Sequence, residues 1–220
     1  MKRYSTAWHD MSDYVVHFTR DYHGRSAYDN MLGILSAGML RAGNAFGIAR
    51  QRAPYASQRA VCFSEIPMHL VSRLAARRGE YGIGFTKVFL LERGGGPVWY
   101  VERDGRAAKA LGRLMAFAQS GDPAVAASMW TITPFVDAPG DYANGTYRFE
   151  WEREWRHVGD LSFSVTDPAF LVIPERLHGA ARVFFGNARA ENTGPCYECP
   201  FLDPRWDRDR ISATMDGEQS

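Results

Sequence analysis

The residues best suited to chemistry in this chain lie in the run Tyr147-Arg148-Phe149-Glu150-Trp151-Glu152-Arg153-Glu154-Trp155-Arg156. Read as a β-strand, its period of two sets Glu150, Glu152, Glu154 and Arg156 on one face and Phe149, Trp151, Arg153 and Trp155 on the other. Carboxylates along one strand face sit only about 7 Å apart and repel one another. A chain tolerates such a row where it lines a cleft and stabilises a developing cation, with the aromatic face as its anchor. The row also suits the solvated side of an edge strand. Spacing alone leaves both readings open, and leaves open which of Glu150, Glu152 and Glu154 would act.

Other candidate groups precede this run. His17 is a polar residue in the apolar stretch Tyr14-Val15-Val16-His17-Phe18-Thr19. It is either a hydrogen-bonded core histidine or a ring nitrogen presented to a ligand hydroxyl. Tyr81 precedes Gly82-Ile83-Gly84-Phe85, where missing side chains would open a flat slot beside which Tyr81 could stack on an aromatic ligand. A core tyrosine is the plainer alternative. Ser64-Glu65 closes a strand before Pro67, a place where Ser64 would cap a helix. Cys196-Tyr197-Glu198-Cys199 is a lone C-x-x-C with no second pair, so neither zinc nor another metal is expected. Gly94-Gly95-Gly96 lacks the spacing and the Lys-Ser/Thr of a phosphate loop.

The elements that would position these groups follow from periodicity and breakers. Strands are predicted at 14–19, 60–64, 81–85, 97–101 and 169–173. A helix over 26–38 opens on Ser26 and Asp29, carries Tyr28, Met31, Leu32 and Leu35 at helical spacing, and ends at Gly38. Besides a short helix or turn at 87–93, further helices are predicted from Pro67 to about Arg78, from Asp104 to Gln119, and from Pro174 to Asn192. The last would pack Leu177, Ala181, Val183, Phe184 and Ala188. Residues 130–136 are ambiguous between strand and helix, and Asp137 to Thr146 reads as a loop. The order lacks regular βαβ alternation. It therefore predicts an α+β fold, a mixed or antiparallel sheet core with flanking helices.

The chain has 220 residues, 45% of them hydrophobic, and a net charge of +1, which suits one globular domain with a core over about 14–205 and a polar, frayed tail from about Asp207. Near-neutrality argues against a generally basic nucleic-acid binder. A local patch would have to combine arginine-rich loops with Trp8, Trp99 and Trp130 as stacking platforms. No apolar run approaches the ~20 residues of a membrane span. Met1 to Asp13 has no signal-peptide core, so a cytoplasmic protein with its three cysteines reduced is expected.

Taken together, the segments Tyr14–Thr19, Asn30-Met31-Leu32-Gly33-Ile34-Leu35, Ala60-Val61-Cys62-Phe63-Ser64-Glu65-Ile66-Pro67, Tyr81–Phe85 and Phe149–Arg156 resemble the AbiGi family of abortive-infection proteins, over roughly residues 14 to 205. That resemblance implies a phage-resistance protein, the antitoxin half of a two-gene system, and so a cognate toxin or antitoxin as partner. A more distant similarity is to the DarT-like, DNA-modifying ADP-ribosyltransferase toxins. It rests on His17-Phe18-Thr19 followed by Ile34-Leu35-Ser36-Ala37-Gly38-Met39-Leu40.

This second resemblance implies an ADP-ribosyltransferase-like fold and a His-Tyr-Glu triad acting on NAD. His17 would hold a ribose hydroxyl, Tyr81 would stack on the nicotinamide, and Glu154 would stabilise charge at the anomeric carbon. Glu152, on the same face, would accept the proton of the attacking nucleophile. Thr19, Arg20 and Ser64 would join His17 and Tyr81 in binding the cofactor. Arg20, Arg25, Arg41, Arg50 and Arg52 would face the pyrophosphate, unless they are simply a solvated loop. The loop 137–146 would recognise the acceptor. The implied activity is an NAD-dependent mono-ADP-ribosyl transfer to a nucleic-acid or protein acceptor. The alternative is a non-catalytic antitoxin or partner-binding module.

Overall fold

Hydrophobic alternation in Tyr14–Phe18 makes both faces of one short strand useful, and the surrounding elements use both. The structure is a computed structural model, and it describes residues 11–65, 67, 70–142, 145–147 and 152–217. In chain order the elements are β1 (Tyr14–Phe18), α1 (Ala27–Ala37), β2 (Met39–Leu40), β3 (Asn44–Ala45), α2 (Tyr55–Gln58), β4 (Arg59–Ser64), α3 (Val71–Arg78), β5 (Gly82–Thr86) and α4 (Lys87–Glu92). They continue with β6 (Gly96–Pro97), β7 (Trp99–Tyr100), α5 (Arg106–Ser120), α6 (Pro123–Ile132), β8 (Val136–Asp137), β9 (Gly140–Tyr142) and β10 (Gly145–Tyr147). The last are β11 (Glu154–Val158), β12 (Leu161–Ser162), β13 (Phe170–Val172), α7 (His178–Ala190), β14 (Phe201–Leu202) and α8 (Arg208–Met215). The class is α+β with a mixed sheet, as the sequence predicts.

The chain divides into two units interleaved in sequence, one of residues 1–40, 63–90 and 162–220, the other of 41–62 and 91–161. In the first unit the strand order is β14-β13-β5-β1-β4, with β13 and β14 parallel and the other pairs antiparallel. The β1–β5 register runs from Tyr14↔Thr86 to Phe18↔Gly82. Val16 lies on one face with Phe170, Val172, Val71, Leu202 and Ile211. Phe63, Phe85, Phe89 and Phe163 form an aromatic cluster, with Phe85 stacked on Phe89 at 4.9 Å between centroids.

Gly84 has a packing reason, since a Cβ there would meet the Phe170 ring at 2.3 Å. The predicted slot beside Gly82 and Gly84 is therefore filled by the protein's own Phe170, Val16 and Phe18. α1 starts as predicted. Ser26 accepts from the Asp29 backbone N–H, and Gly38 ends the helix at φ 57°.

Two expectations for this unit are corrected. α7 buries Ala181, Phe185 and Ala188, and leaves Val183 and Phe184 exposed. Phe185 rather than Phe184 points inward because its ring fits between Tyr197 and Phe201, at 5.6 and 6.1 Å. The segment after Asp207 is not frayed throughout. Asp207 caps α8, Ile211 is buried, and Arg210 and Trp206 both donate to Glu175. α3 runs from Val71 with Leu70 at its N-cap, later than the predicted opening at Pro67.

Asp203 ties β14 to the segment before α7. Burial pushes its pKa up, but N–H donors from Glu175 and Arg205 at 2.6 and 2.7 Å, with the Arg205 guanidinium, outweigh burial and hold it below the ordinary carboxylate value. A depressed folded pKa adds stability above the unfolded-state pKa, and that stability is lost as pH falls through the folded one. Asp203→Asn is therefore expected to destabilise the protein at neutral pH and to narrow the gap to wild type in acid. Urea denaturation at several pH values measures this; a gap independent of pH would contradict the assignment.

In the second unit the order is β4-β11-β6, with β3 antiparallel to β4. Its apolar core joins Ala49, Val101, Leu111, Met115, Met129, Val136 and Ala138. Gln58, fully buried, is satisfied by the Trp130 carbonyl at 3.0 Å and the Thr133 hydroxyl at 3.1 Å. The expected loop 137–146 holds the β9–β10 hairpin, with Thr146↔Asp141 in register. The ambiguous stretch 130–136 is the end of α6, a 3-10 turn at Thr133–Phe135, and β8.

Candidate functional site

The acidic run does not form one strand. Arg153 sits at φ 45°, in the left-handed region, and β11 begins only at Glu154. Glu152 lies before that break, so it does not share the strand face of Glu154 as predicted. Glu150 lies outside the described residues. Glu152 is 4% exposed and Glu154 is also largely covered, so neither is the solvated edge residue of the plainer reading.

What Glu154 does is set by Arg156, two residues along the same strand face. Arg156 Nε donates to Glu154 Oε1 at 3.0 Å and Nη2 to Oε2 at 2.9 Å, a bidentate pair. The same guanidinium donates to Asp137 Oδ2 at 2.8 Å and to the Pro134 carbonyl at 2.6 Å, and it sits 5.0 Å from the centre of the Phe46 ring. The Arg156 side chain has no exposed surface, and that of Asp137 is 5% exposed. β8 supplies Asp137, the turn before it supplies Pro134, and the loop after β3 supplies Phe46. Arg50 approaches Asp137 at 3.7 Å from a more exposed position. Two guanidinium groups thus face two carboxylates, and formal charge balances among these four side chains.

The surrounding groups are tuned towards their neutral forms. Burial pushes the Cys62 thiol well up, and the Glu154 charge adds to it. Tyr100 donates its hydroxyl to Glu154 at 3.4 Å; burial and then that same charge raise its pKa. Burial pulls Arg156 towards deprotonation, but the facing carboxylates outweigh it and raise its pKa. A protonated buried thiol is a poor nucleophile. Both oxygens of the Glu154 carboxylate are engaged by one guanidinium, and Oε2 also accepts from Tyr100. The arrangement is chemically suited to holding charge in place. In this structure Glu154 is the counter-ion of Arg156.

The other candidates belong to the first unit. Thr19, Tyr81 and His17 come together through the β1–β5 pair. The Thr19 N–H donates to the Tyr81 carbonyl at 3.0 Å, and His17 pairs with Ile83. Ser64 stands opposite Val16, the neighbour of His17. The Thr19 hydroxyl donates to the Ala27 carbonyl at 2.8 Å, tying β1 to the start of α1. The His17 ring lies edge-on to Phe63 at 5.8 Å, and Tyr81 leans on Tyr28 at 5.4 Å. Arg20 is exposed, with its carbonyl accepting from the Asn30 amide. Beside these, Lys87 Nζ lies 2.6 Å from Glu65 Oε1, both side chains nearly fully buried.

A groove of about 370 Å³ in the second unit is lined by Ser57, Ala127, Trp130, Thr131, Phe135 and Val158, and by none of the charged network. One of about 390 Å³ in the first lies between α1 and α7 and includes none of His17, Thr19, Ser64 and Tyr81.

Sequence reasoning did not find Asp137 as a partner of Arg156, nor Tyr100 or Cys62 as neighbours of Glu154. The one local signal was the Glu154-x-Arg156 spacing, which puts opposite charges on one strand face. Among the described residues no helix is long and apolar enough to cross a membrane. No curated protein and no solved structure matches the chain. A family model described as "Putative abortive phage resistance protein AbiGi, antitoxin" matches residues 44–187, a span that contains Phe46, Cys62, Tyr100, Asp137, Glu154 and Arg156, and the chain belongs to the AbiGi family.

Proposed function

We propose that the chain is the antitoxin of a two-gene abortive-infection system, a cytoplasmic protein that neutralises its cognate toxin by binding it and not by turnover. The observation that carries this reading is the commitment of both Glu154 oxygens to the buried Arg156. It leaves the best-placed acid of the chain without a free face for catalysis. The family's own description, which names an antitoxin, supports the same reading.

The second reading is ADP-ribosyl transfer from NAD to a nucleic-acid or protein acceptor. It draws on the grouping of His17, Thr19, Ser64 and Tyr81 around β1 and β5 and on the burial of Glu152. One pair of experiments separates the two. Induced alone, the chain is expected to leave growth unaffected, and co-expressed with the toxin of its own gene pair it is expected to restore growth. Purified chain incubated with NAD is expected to release no nicotinamide. Nicotinamide release by the wild type, lost in a normally melting Glu154→Gln variant, would overturn the antitoxin reading in favour of the transferase.

A further inference from the structure

α5 packs on its own unit through Ala108, Leu111, Met115 and Ala118, spaced three and four residues apart. Its opposite face is therefore turned outward, and it is unusual in two respects. It carries Arg106, Lys109 and Arg113, all exposed and again three and four apart, while the whole helix contains no acidic residue. The row continues into Phe117, 60% exposed, with Leu114, 51% exposed, beside it.

Some exposed arginines in the chain have carboxylate partners: Arg189 has Glu198, Arg210 has Glu175, and Arg205 has Asp203. Among the described residues Arg106, Lys109 and Arg113 have no ion-pair partner. Like charges at this spacing repel, and two large apolar side chains in water add a further cost. In a chain of net charge +1, so local a concentration of cations is complementary to a surface of opposite sign.

We propose that the outer face of α5 is a docking surface for an acidic protein, one that presents carboxylates around an apolar side chain. The cations would meet the carboxylates as a rim, and Leu114 with Phe117 would form the dry centre. A nucleic acid would satisfy the cations, but its phosphates and base faces would leave Leu114 without a role. The inference rests on the antitoxin reading above and names the cognate toxin as the acidic partner.

The test titrates purified cognate toxin into the full chain by calorimetry and follows growth rescue in parallel. Two variants are compared with wild type, R106E/K109E/R113E and L114S/F117S, each checked by circular dichroism and melting. The wild type is expected to bind, more weakly as salt rises. The charge reversal is expected to lose affinity by about 30-fold and the apolar pair by about 10-fold, with rescue falling in step. Wild-type binding that both variants retain would remove α5 from the interface and leave the antitoxin reading standing. Rescue without measurable binding would sink the docking surface and neutralisation by binding together, whereas absence of both would sink the antitoxin reading altogether. A mixed-sequence duplex oligonucleotide serves as the control probe. If charge reversal abolished oligonucleotide binding while toxin affinity was unchanged, the face would belong to nucleic acid and the proposal would be overturned.

Discussion

Arg156→Met is expected to cost the protein about 3–5 kcal/mol of unfolding free energy, the range found when one partner of a buried ion pair is removed. Methionine fills most of the vacated volume, so the loss is electrostatic more than steric. Glu154 and Asp137 would be left with charge but without the guanidinium that bridges them at 2.9 and 2.8 Å. The Pro134 carbonyl would lose its 2.6 Å donor as well. Domains are stable by only about 5–15 kcal/mol, so the variant would be marginal.

The electrostatic origin has a signature. An orphaned buried carboxylate prefers its neutral form, so its folded pKa rises above the unfolded one. The cost is then present above the folded pKa and relieved as pH falls through it. The deficit of Arg156→Met relative to wild type is thus expected to shrink in mild acid. Pairing it with Glu154→Leu should restore part of the stability, because the double variant no longer buries that orphaned charge. Guanidinium titrations of the single and double variants measure both effects. A deficit under about 1 kcal/mol, flat with pH, would show that the network carries no special weight.

The parts of this fold that could be read from sequence are those with local punctuation. α1 lies between Ser26 and Gly38, and α5 ends ahead of Gly121 and Pro123, as their signals require. β1, β5 and β13 are apolar stretches bounded by polar or proline residues, and they form where expected. The failures were decided by tertiary partners. In α7 the adjacent Phe184 and Phe185 give two equally good helical phases, and only the Tyr197 and Phe201 rings choose between them. α8 has few apolar residues to reveal it, and it is held by the Asp207 cap and by Glu175 from far along the chain. The two units have no linker because the chain passes between them in five alternating segments.

The candidate site was half legible. The alternation in 147–156 correctly marked Glu154 and Arg156 as sharing a face, and their types make a salt bridge between them. It failed one residue earlier, because a left-handed residue at Arg153 ends the strand and no glycine or asparagine announces it. Asp137, within a segment taken for a loop, could be assigned to the site only once β8 brought it to the Arg156 guanidinium. A single carboxylate in a run bearing Pro139, Gly140 and Gly145 has the look of a turn residue.

Gly47→Ala is expected to be the other severe substitution, at roughly 3 kcal/mol or more, although no charge is touched. Gly47 has φ 88°, a conformation that costs an L-residue strain on its own. An added Cβ would also stand 2.1 Å from the Thr133 carbonyl oxygen and 2.8 Å from Pro134 Cα. These are backbone atoms of the turn whose Pro134 carbonyl accepts from Arg156, so no rotamer change relieves the clash. Loop and turn must separate, taking Phe46 away from the Arg156 guanidinium and Arg50 away from Asp137.

The substitution therefore reaches the charged network through the backbone. Thermal melting should show a large loss for Gly47→Ala. Gly43→Ala serves as control: it lies just ahead of β3, and an added Cβ would meet nothing within 4 Å. It should melt close to wild type. If the two alanine variants melted alike, the close approach at Gly47 would not be holding Arg156 in its place.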